Sequence, residues 1–178
     1  MADIMLDLET LATSPDSVVL TCGAVKFDPF SDTEPSAPFY VRISVDDQTA
    51  MGRVINPDTI EWWGKQPQSA QDEAFGDEGR VSPDEFTKQL NAYVVGTNKI
   101  WAQGTMFDIG ILENLYRMLG KPLPWAYWQI RDSRTLFDLG DDSIKKNNAS
   151  AHNALADAFF QAKSVQTIYK NLGIKKKE

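Results

Sequence analysis

Five side chains in this sequence have the types and the order that suit metal-assisted hydrolysis. Asp7 and Glu9 lie near the N-terminus, Asp108 follows a glycine turn, and His152 and Asp157 lie in the last quarter of the chain. Hard divalent cations prefer carboxylate oxygens as ligands. Histidine changes its charge near neutral pH, which suits a general base. The chemistry requires that the fold bring all five together.

The first pair, Asp7 and Glu9, lies two residues apart in the otherwise apolar stretch IMLDLET. Alternate residues of a strand point to one face. Two like charges on a hydrophobic face are costly unless a cation compensates them. A solvated edge strand is the alternative. A second Asp-x-Glu, Asp32 and Glu34, lies in the proline-rich loop 28–38, and we assign it to solvent because nothing there would desolvate it.

The other three residues lie near predicted helix starts. Asp108 follows a turn at Gly104, and its charge suits the positive end of the next helix; a simple N-cap is the alternative. His152, the only histidine, precedes the last helix, and Asp157 lies one turn inside it among alanines. Small residues let a helix approach a sheet closely, so His152 would be free to reach a water molecule. A histidine on the surface or in the core is the alternative.

Hydrophobic periodicity and turn signals predict the elements that must position these residues. The first three strands are joined by short links and form an antiparallel meander, after which helices and strands alternate. This order predicts an α/β fold with a mixed five-stranded sheet flanked by helices. The predicted strands are 3–8, 17–27, 39–45, 99–102 and 127–130. The predicted helices are a short one with Pro57 in its first turn and those at 83–95, 107–119, 132–139 and 153–172.

Composition indicates one globular domain over residues 1–178, with 172–178 as a flexible tail. The chain is 42% hydrophobic and 24% charged, and its length suits a single core. No apolar stretch approaches the roughly 20 residues of a membrane span. Because the N-terminus also lacks the features of a signal peptide, we expect a soluble cytoplasmic protein without a membrane partner. The single cysteine, Cys22, excludes an internal disulfide and a cysteine-based zinc cluster.

The net charge restricts the class of partner. The chain has 18 Lys and Arg against 25 Asp and Glu, a net charge of −7. Proteins that bind duplex DNA are usually basic. Divalent ions would offset part of the acidity. The balance therefore disfavours long or double-stranded nucleic acid and is compatible with binding a single-stranded end.

Taken in order, the Asp-x-Glu, Asp and His-x4-Asp motifs resemble the DEDDh branch of the DnaQ-like 3′–5′ exonucleases, which have a ribonuclease H-like fold. The resemblance covers nearly the whole chain, from about residue 3 to residue 172. The segments TIEWW at 59–63 and RDSRTLFDL at 131–139 look like the small phage and bacterial subgroup that includes phage exonuclease A and a mycobacterial exoribonuclease.

This resemblance implies hydrolysis of nucleic acid from the 3′ end, to nucleoside monophosphates, with two Mg²⁺ or Mn²⁺ ions about 3.5–4 Å apart. Asp7, Glu9, Asp108 and Asp157 would hold the ions, and His152 would take the proton of the attacking water. One ion would activate that water, and the other would stabilise the leaving 3′ oxygen.

Candidates for substrate contact come from both the resemblance and the aromatic residues. Thr10 and Leu11 match positions that touch the terminal nucleotide in the family, ordinary loop residues being the alternative. Adjacent Trp62 and Trp63 point in different directions on a helix, so one can stack on a base while the other packs in the core. Both in the core, or both at a dimer contact, is the alternative. Phe107, beside the third acid, is a candidate wall of the terminal-base pocket.

Basic residues are sparse near the motifs. Arg131 and Arg134 are the candidates for phosphate contact, with simple salt bridges as the alternative.

Two other functions stay open at this point. One is a catalytically silent nucleic-acid-binding or polymerase-accessory module of the same fold, which the loss of a motif acid would mark, and none is lost. The other is an unrelated acidic metal-binding or structural protein, in which the acids would be scattered. DNA and RNA are equal alternatives as substrate, and a homodimer is left open.

Overall fold

Five strands form one mixed sheet in the part of the chain that the computed structural model describes, residues 1–140 and 148–176. The order across the sheet is β3-β2-β1-β4-β5. β1 pairs antiparallel with β2 and parallel with β4, and β4 pairs parallel with β5. The predicted five-stranded mixed sheet with a three-stranded meander is confirmed. The strands are β1 Asp3–Thr10, β2 Val19–Phe27, β3 Ser36–Arg42, β4 Ile100–Ala102 and β5 Ile130–Asp132.

Helices flank this sheet, and none of the described ones is long and apolar enough to cross a membrane. The last helix ends at Asn171. Of the predicted tail at 172–178, residues 177 and 178 lie outside the described part of the chain. The described helices are α1 Val45–Ala50, α2 Pro57–Gly64, α3 Gln68–Phe75, α4 Pro83–Val94, α5 Thr105–Met118, α6 Ser133–Phe137 and α7 Ala154–Asn171.

The central strand β1 separates two hydrophobic layers. Ile4, Leu6 and Leu8 pack with residues of α4 and α5 on one face of the sheet. Met5 packs on the other face, against residues of α6 and α7. Because side chains alternate along a strand, the acids at positions 7 and 9 share the face of Met5. Each therefore points toward α7.

A glycine in β2 allows α7 to approach this face closely. Gly23 lies opposite Asp7 in the antiparallel pair. A Cβ built at Gly23 would lie 2.2 Å from the backbone nitrogen of Leu155, in the first turn of α7. Only a residue without a side chain fits at this distance. The first turns of α7 are thereby brought against the middle of the sheet.

The proline-rich connection between β2 and β3 is fastened to the outer side of α7. The buried amide of Gln166 donates to the carbonyl oxygens of Asp28 and Thr33, at 3.0 and 2.8 Å. Asp32 and Glu34, the second Asp-x-Glu, are largely exposed, as predicted, but each forms an ion pair with a lysine of α7. Exposed ion pairs contribute little stability. The buried amide is therefore a stronger attachment of this loop than either ion pair.

All five predicted strands differ from the observed ones at one end or both, and two differ by three residues. The predicted strand 39–45 runs too far, because Ser44 caps helix α1 by accepting a hydrogen bond from the backbone nitrogen of Asp47. The predicted strand 127–130 is also wrong, since residues 127–129 form a 3-10 turn before β5. Tyr127 and Trp128 are 84% and 62% exposed, so their strand-like composition does not reflect a place in the sheet. Helices α1 and α3 were not predicted.

Gly23→Ala should destabilise the protein by about 1–3 kcal/mol, because the new methyl group overlaps the backbone of α7 and forces the helix outward. Denaturant unfolding measures the loss. Gly64→Ala is the matched control, since a Cβ there meets nothing within 4 Å. Equal stability of the two variants would show that α7 does not pack on the bare backbone of β2.

Candidate active site

A cavity of about 760 Å³ opens at the carboxyl ends of β1, β4 and β5, and all five motif residues line it. The acids come from three separate elements, namely β1, α5 and α7. The structure thus brings together residues that lie up to 150 positions apart in the chain (7 to 157). The motif residues lining the cavity are Asp7, Glu9, Asp108, His152 and Asp157.

Asp108 is attached directly to the central strand. The backbone nitrogen of Leu8 donates to Asp108 Oδ1 at 3.0 Å. Helix α5 begins just before it, after Gly104 in the left-handed conformation at φ 97°. The carboxylate of Asp132, at the end of β5, accepts from the backbone nitrogens of Gly104 and Thr105 at 3.0 and 2.8 Å. Asp132 therefore accepts from the backbone N–H groups at the start of α5. The Asp108 carboxylate is not needed there and can face the cavity.

Asp157 holds the loop that carries the histidine. Its Oδ2 accepts from the backbone nitrogen of His152 at 3.0 Å, and its Oδ1 accepts from the amide of Asn148 at 2.5 Å. His152 has φ 66°, a left-handed conformation that residues other than glycine seldom adopt. Such strain persists only where surrounding contacts impose it. The two hydrogen bonds to Asp157 are among these contacts.

The imidazole of His152 lies between acids and indole rings. One ring nitrogen of His152 and one carboxylate oxygen each of Glu9 and Asp157 lie within 4.8 Å of one another. The Trp62 ring meets the imidazole edge-on, with centroids 5.0 Å apart and planes at 87°. Trp63 lies behind, at 6.3 Å. These contacts fix where the imidazole lies relative to the acids.

The electrostatics of the cavity reflect crowding of like charges. Burial, followed by the charges of Asp108, Glu9 and Asp157, raises the pKa of Asp7 well above its ordinary value. Burial, followed by the charges of Asp157 and Asp108, raises the pKa of Glu9 to about 8. Burial also raises the pKa of Asp108 to about 7 and raises the pKa of Asp157. Burial and crowding therefore disfavour the charged form of each carboxylate, and a bound cation would favour it.

The donor set fits divalent cations. The four motif carboxylates converge, and Asp58 also lines the cavity. Of the Lys and Arg residues in the described parts of the chain, Arg134 alone lines it, and one guanidinium does not balance these carboxylates. Hard divalent ions bind carboxylate oxygens and favour their charged form, which is the compensation that this cluster requires.

The structure brings five of the seven predicted substrate-contact residues to the cavity. The five that line it are Thr10, Trp62, Trp63, Phe107 and Arg134. Trp62 is 42% exposed, whereas Trp63 is buried and its indole N–H donates to the Thr10 carbonyl at 2.9 Å. The two adjacent tryptophans therefore divide between surface and core, as one of the sequence alternatives had it.

The other two predicted substrate-contact residues lie elsewhere. Leu11 is buried in a small core cluster with Trp63. The guanidinium of Arg131 donates to the carbonyls of Trp128 and Ile130, and Arg131 does not line the cavity. Arg134 does line it, and its guanidinium donates to the Gln103 carbonyl at 3.2 Å.

Three functional candidates were not identified from the sequence. The first is Gln161, which donates to Asp7. It lies four residues after Asp157 and so on the same helix face, a spacing from which it could have been identified. Asp132 ends β5, which pairs parallel with β4, so its place beside the start of α5 follows once that pairing is known. Asn148 has no sequence signal that distinguishes it from an ordinary loop residue.

Two solved structures with the same fold are nucleases. The nuclease domain of 3′hExo, described as a DEDDh family member and bound to rAMP, matches with a TM-score of 0.64 at 12% identity, over 96% of this chain and 92% of that one. Cell-death related nuclease 4 (CRN-4) matches with a TM-score of 0.51 at 16% identity, over 97% of this chain and 64% of that one. These likenesses establish the ribonuclease H-like fold that the motif order predicted.

Comparison of sequences establishes the family. An exodeoxyribonuclease of Enterobacteria phage T4 is 28% identical over 159 residues, which cover 76% of this chain and 70% of the phage protein. Residues 2–169, nearly the whole chain, match the family described as the Rv2179c-like 3′–5′ exoribonuclease domain. The predicted relationship to the DnaQ-like exonucleases is confirmed, and the chain belongs to the Rv2179c-like family of 3′–5′ exonucleases.

Proposed function

We propose that this metal-dependent 3′–5′ exonuclease shortens single-stranded DNA or RNA from the 3′ end and releases nucleoside monophosphates, with residues 1–178 acting as one catalytic domain. The observation that carries the proposal is the convergence of four carboxylates and the only histidine in one open cavity. A silent binding module of the same fold would have no need to hold these charges together. Their cost in the folded state supports catalysis over mere binding.

The four acids are the proposed ligands of two Mg²⁺ or Mn²⁺ ions. Asp7 and Glu9 lie on the face of β1 that α7 covers, and Asp108 and Asp157 reach the same cavity from α5 and α7. When bound, such ions activate water and offset the charge that develops on phosphate oxygens. The chain's own contribution is to hold the carboxylates at their positions before the ions arrive, through the hydrogen bonds to Asp108 and Asp157.

His152 is the proposed general base. A ring nitrogen lies beside oxygens of Glu9 and Asp157, so the imidazole can take the proton of a water molecule that attacks the phosphate there. The backbone hydrogen bond from His152 to Asp157 fixes the loop, and the edge contact with Trp62 limits how far the ring can turn.

The terminal nucleotide is proposed to occupy the part of the cavity between Trp62 and Phe107. The half-exposed face of Trp62 can stack on a base, a contact worth about 1–3 kcal/mol. Thr10 borders the same space. Arg134 is proposed as the phosphate contact in preference to Arg131, because its side chain lines the cavity.

The sugar of the substrate is proposed to be either ribose or deoxyribose. The phage relative is described as an exodeoxyribonuclease, the family as an exoribonuclease domain, and the 3′hExo structure holds rAMP. Matched DNA and RNA substrates therefore belong in one experiment.

The direct test uses 5′-end-labelled single-stranded DNA and RNA of the same sequence, with Mg²⁺ or Mn²⁺. Stepwise shortening from the 3′ end is expected, with loss of all cleavage in EDTA. His152→Ala should lower kcat by about 10²- to 10⁴-fold with little change in KM, because it removes proton transfer and leaves the base pocket intact.

Two results would contradict the proposal. Folded, metal-loaded protein that shortens neither substrate would favour the silent accessory module. A His152→Ala variant that retains the full rate at neutral pH would remove the general-base role.

The metal-free protein should lose stability as the pH rises from about 5 to about 8. The pKa of Glu9 is raised from 4.5 to about 8, so its contribution is complete below the unfolded value and is lost as the pH rises through the folded one. Asp108, with its pKa raised to about 7, acts in the same direction. Thermal melting in EDTA measures this loss of stability with pH, and the loss should be smaller in Glu9→Gln. Added Mg²⁺ should restore stability at pH 8; the same decline with and without Mg²⁺ would contradict a metal site here.

A further inference from the structure

A buried glutamine amide contacts the acid cluster from helix α7. Gln161 lies one turn after Asp157, lines the cavity and is 6% exposed. Its Nε2 donates to Asp7 Oδ1 at 3.0 Å. The donor is neutral, and it contacts an aspartate whose pKa is raised by burial and by three neighbouring acids. A lysine in the same place would neutralise Asp7 and compete with a cation, whereas an amide orients the carboxylate and leaves its charge in place.

The other end of the same amide has no partner. Gln161 Oε1 is buried and accepts no hydrogen bond within the described parts of the chain. A buried acceptor without a donor costs free energy, and most such groups are paired in folded proteins. Turning the amide over would place Oε1 against the Asp7 carboxylate, so the observed orientation is the favourable one. Because the amide nitrogen and oxygen share one carbon, Oε1 lies within about 5 Å of Asp7 Oδ1.

We propose that Gln161 is a positioning residue of the catalytic metal centre. Its N–H fixes Asp7 Oδ1, so that the other carboxylate oxygen stays directed to the ion, and its Oε1 accepts a hydrogen bond from an O–H donor that enters with the ion or with the substrate. The donor is a water ligand in the first case and a sugar hydroxyl in the second. This role rests on the metal site of the proposed function, which it extends beyond the four acids and the histidine.

A second glutamine on the same helix provides the matched control. Gln166 is also 6% exposed, and its amide donates to two carbonyls of the β2–β3 loop, away from the cavity. Both glutamines can be replaced by methionine, which keeps the unbranched length and removes the amide. A purely structural amide and a metal-positioning amide should respond differently to this change.

The test measures Mn²⁺ dissociation constants without nucleic acid, by electron paramagnetic resonance of free Mn²⁺, together with melting temperatures in EDTA. Gln161→Met should raise the dissociation constant by about 10- to 100-fold. Its melting temperature in EDTA should change little, because removal of the unpartnered acceptor offsets loss of the hydrogen bond to Asp7. Gln166→Met should do the reverse, with a lower melting temperature in EDTA and unchanged Mn²⁺ affinity.

Asp7→Asn separates failure of this inference from failure of the metal site. If Asp7→Asn weakens Mn²⁺ binding and Gln161→Met does not, the positioning role is overturned and the site stands. If neither weakens it, the site itself is wrong, and the inference fails with it. A Gln161→Met variant with a lower melting temperature in EDTA and unchanged Mn²⁺ affinity also overturns the inference, because that pattern is structural.

If Gln161→Met weakens Mn²⁺ binding, steady-state kinetics at saturating Mn²⁺ then identify the O–H donor. A raised KM for Gln161→Met assigns the donor to a sugar hydroxyl of the substrate. An unchanged KM assigns it to a water ligand of the ion. Either result supports the positioning role.

Discussion

The mutual repulsion of four carboxylates in one cavity is the constraint on which the rest of the structure depends. Glu9 and Asp108 are buried and Asp7 and Asp157 are half-buried, and burial together with neighbouring charge raises the pKa of Asp7 and Glu9. The central strand supplies a rigid platform for these two. The other acids are then brought to it, Asp108 by a hydrogen bond from the backbone of β1 and Asp157 by the close approach of α7 over Gly23.

Neutral donors hold the acids in place. Backbone nitrogens bind Asp108 and Asp157, and side-chain amides bind Asp157 and Asp7. A neutral donor fixes a carboxylate without cancelling its charge, so the site keeps its attraction for divalent cations. The cationic Arg134 lies in the wall of the cavity, where a phosphate can reach it. This division is consistent with the proposed binding of a nucleic-acid end by an acidic protein.

The parts of the fold that follow from local periodicity were predictable. The two-residue spacing of Asp7 and Glu9 placed both on one face, and the position of Asp157 one turn into a helix placed it toward the sheet. The choice between Trp62 and Trp63, by contrast, depends on how α2 lies against β1. The sequence around both residues is the same, and only the tertiary contact with the Thr10 carbonyl separates them.

The proposed phosphate contact and Gln161 show the same limit of prediction from sequence. Arg131 and Arg134 are three residues apart, and the boundary of β5 decides which reaches the cavity; the strand ends at Asp132, so only the later arginine does. Gln161 could have been found from its spacing to Asp157. Its partner Asp7, however, is 154 positions away, and that contact follows only from the packing of α7 on β1.

Anomalous X-ray diffraction from crystals soaked in Mn²⁺ measures most directly whether the acid cluster is a metal centre. Two peaks about 3.5–4 Å apart, in contact with oxygens of Asp7, Glu9, Asp108 and Asp157, are the predicted result. Absence of a peak at these acids, or peaks only at exposed acids such as Asp32, would contradict it.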